Sequence, residues 1–105
     1  MKKLKISDYM KFNDEKFNRC VVFSGDLTTT ILLNFRPGQT LPAHNHPGSS
    51  LQLIVLEGEG VFTFDETEVP AKKGDLFFVD GDETISFINN STDNVSIYAI
   101  LTKNN

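Results

Sequence analysis

The chain is short of the residues from which cysteine- and histidine-rich sites are built. Its 105 residues include one cysteine, two histidines and no tryptophan. A zinc cluster of Cys and His side chains takes four such ligands and an internal disulfide takes two cysteines, so the sequence excludes both. The single Cys20 is typical of a protein that folds in a reducing environment such as the cytoplasm.

Basic residues and long hydrophobic runs are also scarce. Ten Lys and Arg stand against 14 Asp and Glu, which gives a formal net charge of −4. A broad phosphate-binding face needs an excess of basic residues, so we expect no nucleic-acid partner. No apolar run approaches the roughly 18 residues of a membrane span, and the N-terminus lacks the apolar region of a signal peptide. We therefore expect a cytoplasmic protein with no membrane partner.

What the chain does contain is typical of an all-β domain. Nine phenylalanines and a 39% hydrophobic content suffice for one core. Runs rich in β-branched and aromatic residues alternate with Gly, Pro, Asn and Asp clusters, which indicates a sandwich or barrel. Residues 1–19 lack this pattern and are expected to form an N-terminal arm over a sheet edge. Residues 20–105 then form the barrel domain, with strands predicted at 20–24, 28–35, 41–45, 51–57, 60–64, 76–79, 84–89 and 95–101.

The most informative motif lies in residues 37–60. Gly38 is followed after five residues by His44-x-His46, and then by a strand that ends in Val-Leu-Glu-Gly-Glu-Gly at 55–60. This segment, together with a second one that begins at Gly74 and ends at Asn89, resembles the two motifs of the cupin superfamily. The resemblance implies a double-stranded β-helix, or jelly-roll barrel, following the N-terminal arm.

The resemblance also raises the question of a metal. Alternate residues of a strand share a face, so His44 and His46 are expected to supply half of a site for Fe, Mn, Ni, Cu or Zn. Cupins complete this site with a Glu and a third His, but the family's spacing puts Leu51 and Ile85 at those positions. Losing an outer-shell partner alone weakens metal binding about 10–100-fold. We therefore predict that a divalent transition metal is bound weakly or not at all.

Two further side chains are candidates to complete a two-histidine site. Gln52 follows Leu51, and because one step along a strand reverses the side-chain direction, it is expected to face away from the interior. A bulge in residues 47–50 would turn it inward. Tyr98, water or a bound ligand are the other candidates.

The strand register that the cupin resemblance implies also predicts an apolar interior next to the histidines. We expect it to be a binding site for a small organic ligand, because such sites combine apolar walls with a few polar groups. Ile54 and Leu56 are expected to face outward, where a homodimer would cover them. The candidate ligand-binding residues are Leu51, Leu53, Ile85, Phe87 and Tyr98.

Three functions remain open at this point. The first is a cupin that binds a small molecule in its barrel and has an incomplete metal site. The second is a metal-dependent enzyme of the isomerase or oxygenase type, implied by the resemblance, in which His44 and His46 are metal ligands. The third is a non-catalytic interaction module. The sequence names no substrate, because one barrel supports many unrelated chemistries.

Overall fold

Nine antiparallel strands make up most of residues 1–104. The computed structural model describes residues 1–104. A single 3-10 turn, Ile6–Tyr9, precedes the strands, and no helix in this part of the chain has the length and apolar character needed to cross a membrane. The strands are β1 Asn18–Ser24, β2 Thr28–Phe35, β3 Thr40–His44, β4 Ser49–Glu57, β5 Glu59–Phe64, β6 Thr67–Lys72, β7 Leu76–Asp80, β8 Ile85–Ile88 and β9 Val95–Lys103.

The strands form two sheets that enclose the core. One sheet has the order β1-β2-β9-β4-β7 and the other the order β3-β8-β5-β6. Leu33 and Leu53 of the first sheet belong to the same buried cluster as Phe62 and Phe87 of the second. Across residues 1–104 the two sheets stay separate and do not close into one hydrogen-bonded cylinder. This arrangement confirms the predicted all-β, jelly-roll fold.

Burial along β4 follows the alternation expected of a strand between a core and an outer surface. Leu51, Leu53 and Val55 are buried, whereas Gln52 is exposed and Ile54 is half-buried. In the hydrogen-bonded neighbour β9, Ala99 is buried on the inner face, and Tyr98 next to it is half-buried on the outer face. The inner face of this sheet thus has one consistent register, which determines the side chains that reach the space between the sheets.

The sequence prediction missed β6. No strand was predicted between residues 64 and 76, but the loop after β5 ends at Glu66 and the chain continues as a strand from Thr67 to Lys72. Pro70 lies within this strand and donates no backbone hydrogen bond. The strand accommodates it because β6 is at the edge of its sheet and pairs only with β5.

The N-terminal arm is attached to the end of β2. Asn34, which is fully buried, donates from Nδ2 to the Tyr9 carbonyl oxygen at 2.8 Å and accepts at Oδ1 from the Ser96 hydroxyl at 2.7 Å. Arg36 forms an ion pair with Asp14 of the arm, with 2.7 Å between Nε and Oδ1. β1 begins at Asn18, so residues 18 and 19, predicted to belong to the arm, belong to the sheet. Backbone pairing to β2 explains this difference.

Candidate ligand-binding cavity

A cavity of about 390 Å³ lies between the two sheets. Its volume falls within the range of roughly 300–1,000 Å³ that is typical of small-molecule sites. All but four of the side chains on its wall are apolar. The wall consists of Phe17, Arg19, Thr29, Ile31, Leu33, Leu41, Pro42, His44, His46, Leu51, Leu53, Phe62, Ile85, Ala99 and Leu101.

His44 reaches the cavity because β3 is irregular. Leu41 lies opposite Phe87 and His44 opposite Ile85, so β3 spans one residue more than β8 between these pairs. This bulge brings Leu41 and His44, three residues apart, to the same face. The Nδ1 atom of His44 lies 2.9 Å from the Pro42 carbonyl oxygen. A carbonyl only accepts, so Nδ1 carries the proton and Nε2 is the free nitrogen of the neutral ring.

His46 is held by a turn and not by the strand. β3 ends at His44, and the backbone N–H of His46 donates to the Gly81 carbonyl oxygen at 2.8 Å. The N–H of Gly81 in turn donates to Ser49 at 2.8 Å. A Cβ atom on Gly81 would overlap the carbonyl oxygens of His46 and Ser49. The backbone thus approaches Gly81 too closely for any other residue, and this contact positions His46.

The two imidazoles lie together at the cavity wall. Their ring centroids are 4.8 Å apart and the ring planes are nearly perpendicular, at 85°. Burial lowers the pKa of His46 below its ordinary value, and the nearby charges of His44 and Arg19 lower it further. The fold therefore favours the neutral form of His46 when the cavity holds no compensating anion.

Arg19 brings a third nitrogen-rich side chain to the same wall. It lies on β1 opposite Leu33, and directly opposed residues of an antiparallel pair share a face. Leu33 is buried and also lines the cavity, which places Arg19 on the inner side of the sheet. The side chain is nonetheless largely exposed, so it lies where the cavity opens to solvent.

The structure brings only some of the predicted site residues together. Leu51, Leu53 and Ile85 line the cavity with the two histidines. Phe87 is buried in the adjoining core, against Phe35 and Phe62, with ring centroids 4.9 Å and 4.8 Å away.

Gln52 and Tyr98 lie on the other side of the sheet from the histidines. Gln52 is exposed next to Phe78 and Ile100, so the bulge that would have turned it inward is not formed in residues 47–50. Tyr98 lies opposite Leu32 and Ile54, while its neighbour Ala99 faces the cavity. Neither polar side chain is available to a group held between the imidazoles.

Sequence reasoning missed most of the wall contributed by β1, β2 and β9. Alternation in β2 and β9 was the available signal, since the missed residues there are two positions apart along each strand. No comparable signal marked Phe17 and Arg19, which were assigned to the arm. The missed residues of the two regular strands are Thr29, Ile31, Leu33, Ala99 and Leu101.

The side chains at the cavity do not fit the four-ligand metal site that the cupin resemblance implies. Leu51 and Ile85, at the positions of the missing ligands, are 7% and 2% exposed and offer only hydrocarbon. Within residues 1–104 no three His, Cys, Asp or Glu side chains are grouped so that they could hold a metal ion. Arg19 adds positive charge to the same wall, which opposes cation binding.

Comparisons with known proteins agree with this fold. The TT1209 protein of Thermus thermophilus superimposes with a TM-score of 0.92 at 24% identity, over 100% of both chains. A conserved Klebsiella pneumoniae protein with a double-stranded β-helix domain also has a TM-score of 0.92, at 17% identity, over 100% of this chain and 92% of that one. An RmlC-like cupin protein of Desulfovibrio desulfuricans has a TM-score of 0.87 at 26% identity, over 97% and 96%.

Sequence similarity extends to a curated protein and to a family model. An oxalate-binding protein of Thermotoga maritima is 34% identical over 65 residues, which is 62% of this chain. The match spans about half of that protein's length, 54%. The model of the cupin domain matches residues 31–101. The chain is therefore a member of the cupin family.

Proposed function

We propose that this protein binds a small organic molecule in the cavity between its sheets. The observation that carries the proposal is the cavity itself, about 390 Å³ in volume and walled mostly by hydrocarbon. Leu51 and Ile85 provide apolar contact at the two positions where the cupin resemblance implies metal ligands. A few polar groups on an apolar wall are typical of sites that fix a ligand's orientation by hydrogen bonds and its body by shape. Similarity to an oxalate-binding protein supports a small-molecule ligand.

Filling the cavity tests this proposal. Ala99 is 2% exposed and lies on the wall, so Ala99→Leu would occupy ligand volume with its longer side chain. We expect compounds that raise the melting temperature of the wild-type protein in a metabolite screen to lose this effect in Ala99→Leu. Ala43→Leu is the matched control, because Ala43 is exposed and outside the cavity wall. Equal ligand responses in both variants would contradict binding in the cavity.

A metal-dependent enzyme is the second candidate. The adjacent rings of His44 and His46 are the observation in its favour, because Nδ1 of His44 is hydrogen-bonded to the Pro42 carbonyl and Nε2 is left free to bind a metal. This function predicts stoichiometric transition metal in the purified protein, together with metal-dependent turnover that His44→Ala and His46→Ala both abolish without unfolding the chain. Metal that stays bound in His44→Ala would count against it.

The third reading, a non-catalytic interaction module, predicts a different result. No compound in the same metabolite screen would stabilise the protein, and a specific protein partner would be captured in pull-down experiments. Binding of any compound that Ala99→Leu abolishes would favour the first proposal over this one.

We also propose a homodimer through an outer apolar face, defined as Ile54, Leu76, Phe78, Tyr98 and Ile100. These side chains adjoin one another across β7, β4 and β9, because Leu76 and Tyr98 both pair with Ile54, and Phe78 and Ile100 both pair with Gln52. Phe78 is 74% exposed and Leu76 is 49% exposed. The other three side chains are half-buried. Contiguous apolar side chains that remain partly or largely exposed are typical of protein interfaces. A second copy of the chain presents the same face, as two-fold symmetry requires.

A further inference from the structure

The ionisable groups around the cavity share one sign. Arg19, His44 and His46 are the ionisable side chains on the wall, and Thr29 adds a hydroxyl. The chain has 14 Asp and Glu, yet none of those in residues 1–104 lines the cavity. The cavity therefore holds hydrogen-bond donors suited to an anion and no carboxylate of its own to neutralise them.

Of the two arginines, Arg19 is the one without an ion pair among the residues that the structure describes, 1–104. Arg36 lies 2.7 Å from Asp14 and over the Phe12 ring, so its guanidinium already has partners. Neither of the ion pairs found within residues 1–104 involves Arg19. A guanidinium offers donors in a planar fork that matches the two oxygens of a carboxylate. At the cavity opening, Arg19 has this fork available for a ligand.

The imidazoles complement Arg19. His44 keeps one nitrogen engaged with Pro42, which fixes its ring next to that of His46, 4.8 Å away between centroids. Both rings line the same cavity wall as Arg19. An imidazole carries no negative charge at neutral or acidic pH, so the rings add none where a carboxylate would bind Arg19.

The rest of the wall fits a different part of a ligand. Leu51, Leu53, Phe62 and Ile85 are each at most 7% exposed and line the cavity between the sheets. These side chains offer no hydrogen bond, so a ligand that reached them with a second polar group would lose water without compensation. They fit a hydrocarbon body.

We propose that the cavity binds a small organic acid whose carboxylate pairs with Arg19 at the opening, beside the two imidazoles, and whose aliphatic or aromatic body lies against the apolar wall. This inference rests on the proposed function, because it names the class of ligand for the same cavity. It assigns to Arg19 the recognition of charge and to the leucines and Ile85 the recognition of shape. Oxalate has carboxylates but no hydrocarbon part, so it would make the contact with Arg19 and not those with the apolar wall.

Matched acids and amides test the proposal, because each pair shares a body and differs in charge. Isothermal titration of metal-stripped protein would use hexanoate against hexanamide, benzoate against benzamide, and oxalate. Of hexanoate and benzoate, we expect the one that binds more tightly to have an affinity about tenfold or more above that of its amide and of oxalate. Charge-assisted hydrogen bonds are stronger than neutral ones by a free energy of this order. Arg19→Gln should lower the affinity for the acid to about that for the amide, whereas Arg36→Gln, the control, should leave it unchanged.

Each of the other possible results would contradict a specific part of the proposal. Equal binding of acid and amide that Ala99→Leu abolishes would leave the proposed function standing and overturn the carboxylate assignment. Undiminished acid binding by Arg19→Gln, with unchanged melting temperature, would overturn the role of Arg19. Acid binding that appears only after a transition metal is added would overturn direct recognition by these side chains. Failure of every probe to bind would count against the inference, while failure of the broad metabolite screen would be needed to reject the proposed function.

Discussion

His46 shows how a single side chain links the cavity to the stability of the whole protein. Its imidazole is partly buried next to His44 and Arg19, and these surroundings lower its pKa from an ordinary value of 6.5. The unfolded chain therefore takes up a proton at a pH where the folded chain does not. Folding stability consequently rises with pH in this interval and is lost as the pH falls through about 6.5 toward the lowered value.

We predict that replacing His46 removes this pH dependence. Glutamine carries no charge at any pH, so His46→Gln should lose less stability than the wild-type protein between pH 7.5 and pH 5. Urea denaturation at several pH values measures the free energy of unfolding of each protein, and the difference between the two curves isolates His46. Two parallel curves would show that the fold does not disfavour the charged imidazole.

Individual residues of the site were predictable only where alternation gave one answer. Leu51 and Leu53 line the cavity, and polar Gln52 between them makes the alternation of β4 plain. β9 carries apolar side chains on both faces, so its pattern did not separate inward Ala99 from outward Tyr98. Arg19 was missed because residues 1–19 were assigned to the arm, and the first predicted strand began one residue later. It is accommodated on the inner face because its side chain is exposed at the opening.

At the scale of elements, the turn after β7 positions the loop that carries His46. We predict that Gly81→Ala costs about 1–3 kcal/mol of stability, as overpacking usually does, because its Cβ would overlap two carbonyl oxygens. The side-chain NMR signals of His46 should shift as well. Gly74→Ala is the comparison, since Gly74 has a φ of 92° but open space around it. Unchanged His46 signals in Gly81→Ala would contradict the positioning role.

Asn34 is the buried side chain that joins the arm to the sheet. Asn34→Ala removes the donor to the Tyr9 carbonyl and leaves the buried Ser96 hydroxyl without its acceptor. We expect a loss of about 1–3 kcal/mol, the usual cost of unsatisfied buried polar groups. Hydrogen exchange should also accelerate in residues 1–17. Asn90→Ala, at an exposed position, should do neither. Unchanged exchange in the arm would show that other contacts hold it.

Elements were predictable where hydrophobic residues recur, and less so at sheet edges. Each of the eight predicted strands overlaps an observed strand, and the second, Thr28–Phe35, has the predicted bounds. β6 was not predicted because its exposed residues Glu68, Pro70 and Lys72 are of types that are uncommon in strands. Backbone pairing with β5 determines its conformation, and the local sequence does not reveal such pairing.

For the whole molecule, the outer apolar face predicts the state of assembly. Light scattering after gel filtration should give twice the chain mass of 11.8 kDa for the wild-type protein. Phe78→Lys should give a monomer, because a lysine at the most exposed aromatic position of the face opposes its burial. Ile88→Lys, at a position 41% exposed on the other sheet, is the control and should remain dimeric. A monomeric wild-type protein at every concentration would reject the dimer.

The position of β1 has a consequence for the rate at which ligands enter and leave. β1 is an edge strand that pairs with β2 alone, and its pairing is irregular between Val21 and Phe23. An edge strand can separate from its sheet at a lower cost than a central one, and local openings of this kind occur well below the free energy of global unfolding. Phe17 and Arg19 would move with it. We therefore expect ligands to enter and leave when this edge strand opens locally. Arg19, the side chain proposed to bind the ligand, would then also limit how long the ligand stays bound.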